Sequence, residues 1–178
     1  AKNPMIIAGG GVLYSSAEQQ LQALVEQTGI PVGTSQAGGG VLNWDHAQNL
    51  GGVGATGTLA ANRIAGEADV IIGIGTRYSD FTTASRTAFQ NPDVKFVNIN
   101  VASFDAYKHG SQLPVIADAR EALTELIDAL QGFRITEEYA RSIAEAKASW
   151  DADVDKAFAP SKLALPGQPE IIGAVQES

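Results

Sequence analysis

The chain has 178 residues, the size of one ordinary domain, and its content of 44% hydrophobic and 18% charged residues is typical of a globular protein. Its formal net charge of −8 leaves no basic patch for a phosphate backbone, so we expect no nucleic-acid partner. It has no cysteine, which excludes disulfides and thiolate metal sites. No apolar run approaches the roughly twenty residues that span a bilayer, so we expect no membrane partner and a reduced, cytoplasmic location.

A glycine-rich turn follows the first predicted strand. The apolar residues 5–8 form that strand, which runs directly into Gly9, Gly10 and Gly11. Glycines between a strand and a helix are half of a dinucleotide-binding fingerprint, because they let a pyrophosphate approach the helix amino end. The match is incomplete, since Tyr14 stands where the third glycine belongs. Two interpretations remain open: a nicotinamide-nucleotide site, or a tight turn packed against the sheet.

A helix, a second strand and a long connection come next. Ser15 or Ser16 is expected to cap the helix, and Gly29 is expected to end it. Residues 30–34 form the second predicted strand, and residues 36–57 form a glycine-rich connection. Loops of that length inside a compact domain are usually functional, so we interpret this one as a functional loop.

A small helix then precedes the most informative strand. The helix is predicted over residues 58–66, with Leu59 and Ile64 directed inward. The run ADVIIGIGTRYSDF, residues 68–81, begins as a largely β-branched strand, which is typical of burial on both faces of a parallel sheet. Glycines and polar residues follow it. Because ligands of open α/β sheets bind beyond the carboxyl ends of the strands, this run predicts a nucleotide-binding crevice.

Charged residues near that crevice have more than one interpretation. The Arg77 guanidinium can bind a phosphate in bidentate fashion, or it can form a surface ion pair with Asp69 or Asp80. Asp105 and His109 stand at helical spacing and indicate a solvated pair rather than metal ligands. With two histidines and no nucleophile elbow, the sequence predicts no catalytic residue and no metal site.

Further strands and helices complete an α/β pattern. Residues 95–99 and 113–117 are predicted strands, and Asp118 is expected to cap the helix that follows. Strands that alternate with helices pair in parallel through right-handed crossovers. Residues 1–132 are therefore predicted to form a three-layer, Rossmann-like α/β domain with a parallel sheet of about six strands.

The character of the chain changes after Gly132. Residues 133–159 are predicted to form a long helix that Thr136 caps, and its apolar positions lie on one face. Residues 160–178 are predicted to be a proline-rich linker and the start of a truncated cofactor-binding domain. Because the chain opens on Ala1 and its one methionine is Met5, we expect it to be a piece of a longer polypeptide.

The order of the motifs resembles one enzyme family. A GGG turn is followed by EQTGIPVGTSQAGGG, GVGATGT, ADVIIGIGTRYSDF, KFVNINVASFDAYKHG and PVIADAREAL. This series is similar to the middle domain of thiamine-diphosphate-dependent enzymes, the group of acetohydroxyacid synthase, glyoxylate carboligase and pyruvate oxidase. The resemblance covers residues 5–130. Within the group, GTRYSDFTTASRTAF and NINVASFDAYKHGS look most like the trihydroxycyclohexanedione hydrolases of myo-inositol breakdown.

The resemblance implies a polypeptide of three domains in which this chain is the central, structural one. The first domain would bind the thiamine pyrimidine and the last would bind the diphosphate and Mg²⁺, so the chain alone is expected to be inactive. The whole enzyme would hydrolyse a carbon–carbon bond of a cyclic diketone to an open-chain deoxyglucuronate. Its implied partners are the flanking domains, a small-molecule substrate and further copies in a homodimer or homotetramer.

The resemblance also implies a place where some relatives bind FAD or ADP. Acids stand in the flavin-bearing members where this chain has Asn98 and Asn100, which favours an empty crevice over FAD or ADP. The alternatives that remain are the middle domain of an FAD-containing acetohydroxyacid synthase or carboligase, and an adenine-nucleotide-binding module. The positions that match the family's cofactor-binding residues are Gly9, Gly10, Gly11, Gly57, Thr76, Arg77, Asn98, Asn100 and Asp118.

Overall fold

One parallel sheet forms the centre of the protein, as seen in a computed structural model that describes residues 1–161 and 165–176. Its strands are β1 (Pro4–Ala8), β2 (Val32–Thr34), β3 (Asn49–Gly52), β4 (Val70–Ile74), β5 (Lys95–Asn100) and β6 (Leu113–Ile116). They pair in parallel in the order β3-β2-β1-β4-β5-β6. This order is that of the doubly wound fold. The predicted six-stranded, Rossmann-like α/β class is confirmed.

Helices cover both faces of the sheet. The helices are α1 (Gly10–Tyr14), α2 (Glu18–Thr28), α3 (Leu59–Glu67), α4 (Asp80–Thr83), α5 (Ser103–Ala106), α6 (Ala119–Ala129), α7 (Glu137–Phe158) and α8 (Gln168–Gln176). One core cluster joins the sheet to α1, α2 and α6, and a second joins it to α3 and α7. The sheet is thus the middle of three layers.

Strand β1 contributes to both cores. Ile6 and Ala8 belong to the cluster beneath α2, whereas Met5 and Ile7 belong to the cluster beneath α7, and all four are fully buried. Successive side chains of a strand point to opposite faces, so a strand covered on both faces must be apolar at every position. The sequence PMIIA meets that requirement.

The start of α2 differs from the prediction. Neither Ser15 nor Ser16 caps it, because the chain first forms the short helix α1 and then turns at Ser16, whose φ is 47°. The N-cap position is Ala17, which has no side-chain hydrogen bond. The predicted end of the helix is correct, since Gly29 is the C-cap with a left-handed φ of 75°.

The connection over residues 36–57 contains secondary structure that its glycine-rich sequence does not predict. A 3₁₀ turn covers Gln36–Gly38, and Asn49–Gly52 pairs with β2 as the edge strand β3. The sequence NLGG lacks the β-branched residues that identify a strand. The inward direction predicted for Leu59 is also wrong, because this first residue of α3 is 66% exposed, whereas Ile64 is fully buried as predicted.

The C-terminal helices pack on the domain and on each other. The hydroxyl of Thr136 accepts a hydrogen bond from the amide of Tyr139, which confirms the predicted cap of α7. Tyr139 and Ile143 lie in the second core, so the apolar face of α7 packs as predicted. Helix α8 contacts α7 where Gly173 meets the ring of Phe158. No described helix is long and apolar enough to cross a bilayer.

A candidate ligand cleft at the strand crossover

A cleft opens at the carboxyl ends of the strands, where the chain crosses from one half of the sheet to the other. It has a volume of about 750 Å³, within the range of small-molecule sites. The loops that follow β1, β2, β4, β5 and β6 line it, as the predicted crevice requires. Its lining includes Gly10, Gly11, Tyr14, Ser15, Gln36, Gly75, Thr76, Arg77, Asn100, Asp105 and Asp118.

The floor of the cleft is a backbone contact between the loops after β1 and β4. The amide of Gly9 donates to the carbonyl of Ile74 at 2.8 Å, and the amide of Gly11 donates to that of Gly75 at 3.0 Å. A Cβ on Gly75 would lie 2.5 Å from the Cα of Gly11, which leaves no room for a side chain. The glycine turn therefore accommodates the neighbouring loop, and this supports the second interpretation of the GGG motif. The amide of Gly11 is not free for a pyrophosphate.

Thr76 and Asn100 hold the loops above the floor of the cleft through side-chain hydrogen bonds. The Asn100 side-chain amide donates to the carbonyl of Thr76 at 3.0 Å, and its oxygen accepts from the amide of Ala102 at 3.0 Å. The Thr76 hydroxyl accepts from the amide of Tyr78 at 3.3 Å. Both side chains are buried, so they hold the loops after β4 and β5 in fixed positions.

Arg77 extends from this framework into the solvent-exposed part of the cleft. Neither ion pair suggested by the sequence forms within the described residues: Asp69 instead accepts from the backbone amides of Lys2 and Asn3. The carbonyl of Arg77 accepts from the Lys108 ammonium at 2.6 Å, which fixes its backbone. The guanidinium group is thus available to an anionic ligand.

Asp118 stands on the opposite wall of the cleft. It is the N-cap of α6, as predicted, and its carboxylate accepts from the Ser15 hydroxyl at 2.7 Å and from the Arg120 amide at 2.8 Å. These hydrogen bonds hold the pKa of this carboxyl below its ordinary value, with the Ser15 bond as the larger cause. The Ser15 bond joins the walls built from the first and last strands.

Tyr78 is a structural residue of the site that the sequence did not identify. Its buried phenol donates to the side-chain oxygen of Asn98 at 2.9 Å and occupies the space above Gly73, where any Cβ would collide with it. Burial raises the pKa of this phenol, so the hydroxyl stays protonated and remains a donor. Gly73 within a strand was the available signal, since such glycines mark close approach.

The structure brings together most of the predicted cofactor-binding residues. Gly10, Gly11, Thr76, Arg77, Asn100 and Asp118 line the cleft. Gly9 lies beneath the lining, and Asn98 binds Tyr78 and the carbonyl of Lys108. Gly57 does not line the cleft and packs against the loop after β3. The prediction that Asp105 pairs with His109 is wrong, because Asp105 forms an ion pair with Lys108 at 2.7 Å.

The donor set of the cleft does not fit thiamine diphosphate held through Mg²⁺. That ion prefers a nearly octahedral set of oxygen ligands. Both carboxylate oxygens of Asp118 already accept hydrogen bonds, and Asp105 is neutralised by Lys108. The described residues contain no group of three or more His, Asp or Glu placed to hold a metal ion.

Comparisons with known proteins agree with the observed fold. A family model described as "Thiamine pyrophosphate enzyme, central domain" matches residues 1–126. A "3D-(3,5/4)-trihydroxycyclohexane-1,2-dione hydrolase 1" of Bacillus cereus is 50% identical over 155 residues, or 87% of this chain and 24% of that protein. Hydrolases named without the final numeral, from Bacillus thuringiensis and Bacillus anthracis, are 49% identical with the same coverage. The chain thus spans 24% of the length of these curated relatives.

Proposed function

The chain belongs to the family of thiamine pyrophosphate enzyme central domains, and on that premise we propose that it is the scaffold domain of a hydrolase that cleaves a carbon–carbon bond of a trihydroxycyclohexane-1,2-dione. The similarity to proteins of that name, 50% identity over 155 residues, carries the proposal. The activity is that of the whole polypeptide, and the thiamine cofactor with its Mg²⁺ is held outside this chain. The product that we propose is an open-chain deoxyglucuronate, and the role and location that we propose are inositol breakdown in the cytoplasm.

The geometry of the domain suits a supporting role. Its loops are tied together by Gly11 against Gly75, Asn100 against Thr76 and Ser15 against Asp118. Hydrogen bonds of this kind between separate strand ends make a rigid surface, as a catalytic site in neighbouring domains requires. The partners we propose are those flanking domains and further copies of the polypeptide in a homodimer or homotetramer.

The test is an assay of the whole polypeptide that the native reading frame encodes. With thiamine diphosphate and Mg²⁺ added, it should hydrolyse 3D-(3,5/4)-trihydroxycyclohexane-1,2-dione, and the 178-residue chain alone should show no turnover. A polypeptide that instead joins two pyruvate molecules and carries a flavin absorption band would refute the hydrolase assignment. That outcome would favour the acetohydroxyacid synthase alternative.

A second candidate is adenine-nucleotide binding in the cleft, as ADP or as the ADP half of FAD. The observation that favours it is the guanidinium of Arg77, which forms no ion pair within the described residues, at the rim of a cleft of about 750 Å³. Arginine recognises phosphate through paired hydrogen bonds. Arg77 is the cleft residue that we expect to contact this ligand, at its phosphate end.

Calorimetry with ADP tests this second candidate. Arg77→Ala should weaken the binding of ADP at least about tenfold, since hydrogen bonds to charged groups contribute about 1.5–3 kcal/mol. Arg141→Ala, an exposed arginine on α7, serves as the control and should leave the affinity unchanged. Equal affinity in both variants would remove Arg77 from the site. The absence of ADP binding in the unmodified chain would leave the cleft with a purely structural role.

A further inference from the structure

A second cavity lies beside the cleft and shares one wall with it. Its volume is about 410 Å³. Tyr78 lines both spaces, and Lys108 connects them, because its ammonium donates to the carbonyl of Arg77 on the side of the cleft. The full lining of this basic cavity is Tyr78, Asp80, Thr83, Arg86, Phe104, Lys108 and His109.

Strained backbone is concentrated around the basic cavity. Left-handed φ is uncommon for residues other than glycine, and the described chain has six such residues. Tyr78, Arg86 and His109 line the cavity with φ of 49°, 71° and 57°. Ala84 and Ser85, which directly precede Arg86, also have left-handed φ. Five of the six left-handed residues therefore lie in or next to the lining of the basic cavity. Such strain persists only where the surroundings enforce it, and it clusters at functional sites.

Buried hydrogen bonds enforce the strained loop. The hydroxyl of Thr83, which is 1% exposed, accepts from the amide of Arg86, and the carbonyl of Thr83 accepts from the amides of Thr87 and Ala88. The carbonyl of Asp80 accepts from the amide of Ser85. These bonds fix the backbone of Arg86 at the cavity.

The basic side chains of the cavity are incompletely neutralised. Lys108 forms an ion pair with Asp105 at 2.7 Å, donates to one carbonyl and lies over the ring of Phe104, so its charge is partly compensated. Arg86 forms no ion pair within the described residues. Asp80 is the acid in the lining. In a chain with a net charge of −8, this convergence of basic groups is unusual.

His109 completes the cavity as a rigidly held ring. It stacks on Phe96 at 5.2 Å between ring centroids and meets the edge of Tyr78 at 4.9 Å. Desolvation is the largest cause that lowers the pKa of this imidazole, and the charges of Arg86 and Lys108 lower it further. The His109 ring therefore stands beside the cations Arg86 and Lys108, and both burial and their charges disfavour its protonated form.

We propose that this basic cavity binds a small oxyanion, either a phosphoryl group or a carboxylate, between Arg86, Lys108 and His109. Arg86 comes from one segment and Lys108 and His109 come from another, and they meet at one space, where one compact anion can accept hydrogen bonds from all three. Asp80 repels a fully ionised ligand but accepts a hydrogen bond from a hydroxyl. The ligand therefore carries a hydroxyl beside its charge, as hydrogen phosphate and small hydroxy acids do.

Titration of the 178-residue chain with inorganic phosphate at constant ionic strength tests the proposal, with sodium chloride as the reference. We expect saturable binding that Arg86→Gln weakens at least about tenfold, given the usual strength of charge-assisted hydrogen bonds. Arg141→Gln on α7 is the matched control and should bind as the unmodified chain does. Glycolate in place of phosphate, with acetate as its control without a hydroxyl, distinguishes the carboxylate from the phosphoryl source.

Two further measurements separate ligand binding from structural damage. Arg86→Gly removes the charge and relieves the left-handed strain, so this variant should melt at a higher temperature yet bind phosphate at least about tenfold more weakly. In NMR spectra of the unmodified chain, saturating phosphate should raise the pKa of His109, because the anion favours the charged imidazole. The absence of saturable binding to phosphate and glycolate, or equal binding by Arg86→Gln and Arg141→Gln, would overturn the proposal.

Discussion

At the scale of single residues, glycines and buried amides fix the cleft through contacts that only particular atoms can make. The backbone of Gly11 touches that of Gly75, and the phenol of Tyr78 fills the space above Gly73. Such contacts join segments far apart in sequence: Tyr78 binds Asn98 across 20 residues, and Ser15 binds Asp118 across 103. The shape of the cleft therefore depends on a few atoms rather than on the general α/β pattern.

Gly75→Ala should be more destabilising than the same change at a comparable but open glycine. Gly75 and Gly110 have φ of 59° and 60°, so a side chain strains both, by about 1–3 kcal/mol. A Cβ on Gly75 also meets the backbone of Gly11, which adds roughly another 1–3 kcal/mol, whereas a Cβ on Gly110 meets nothing within 4 Å. Urea unfolding of the two variants measures the difference. Equal losses of unfolding free energy would contradict the contact.

Tyr78→Phe should lower the free energy of unfolding by about 1–3 kcal/mol, because it leaves the buried oxygen of Asn98 without its donor. Tyr14→Phe is the control, since the Tyr14 side chain is 91% exposed and its hydroxyl can bind water. That change should stay within about 0.5 kcal/mol. Thermal and urea unfolding compare the two, and a neutral Tyr78→Phe would show that Asn98 finds another partner.

At the scale of elements, the sequence predicts what burial dictates and misses what long-range packing dictates. Strands β1 and β4 are apolar, and β5 contains Phe96, Val97 and Ile99, so their composition identifies them without any knowledge of their partners. The caps at Asp118 and Thr136 act on amides two or three residues away and are equally local. Strand β3 is held by pairing with β2, and its own sequence carries no such signal.

The same distinction applies to the site. Strand ends rich in glycine and polar residues located the cleft, and six of the predicted positions line it. Gly57 and Asn98 could not be placed correctly, because their roles depend on the loop after β3 and on the ring of Tyr78. The basic cavity was missed because its residues come from segments around Tyr78, Arg86 and His109 that meet only in the folded chain.

Helix α7 should behave as part of the domain's core rather than as an appended rod. Ile143 is 3% exposed within the second core, so Ile143→Ala should cost about 2–5 kcal/mol of unfolding free energy through the cavity that it creates. Arg141→Ala on the same helix is exposed and should change the value by no more than about 0.5 kcal/mol. Chemical denaturation followed by circular dichroism gives both values. Similar small effects would mean that α7 contributes little to the fold.

At the scale of the whole molecule, a doubly wound sheet supports two adjacent spaces of different character. The larger cleft is open, with one available guanidinium at its rim, and its donors do not fit a metal-bound diphosphate. The smaller cavity is basic and strained. This division supports the proposal that the thiamine cofactor is held outside this chain, which spans 24% of the length of its curated relatives.

Calorimetric titration of the 178-residue chain with thiamine diphosphate and Mg²⁺ tests the scaffold role most directly. We predict no saturable heat of binding from the chain alone, whereas the whole polypeptide binds the cofactor only when Mg²⁺ is present. Saturable, magnesium-dependent binding by the isolated chain would contradict the account, because it would place the cofactor on residues that we assign to the scaffold.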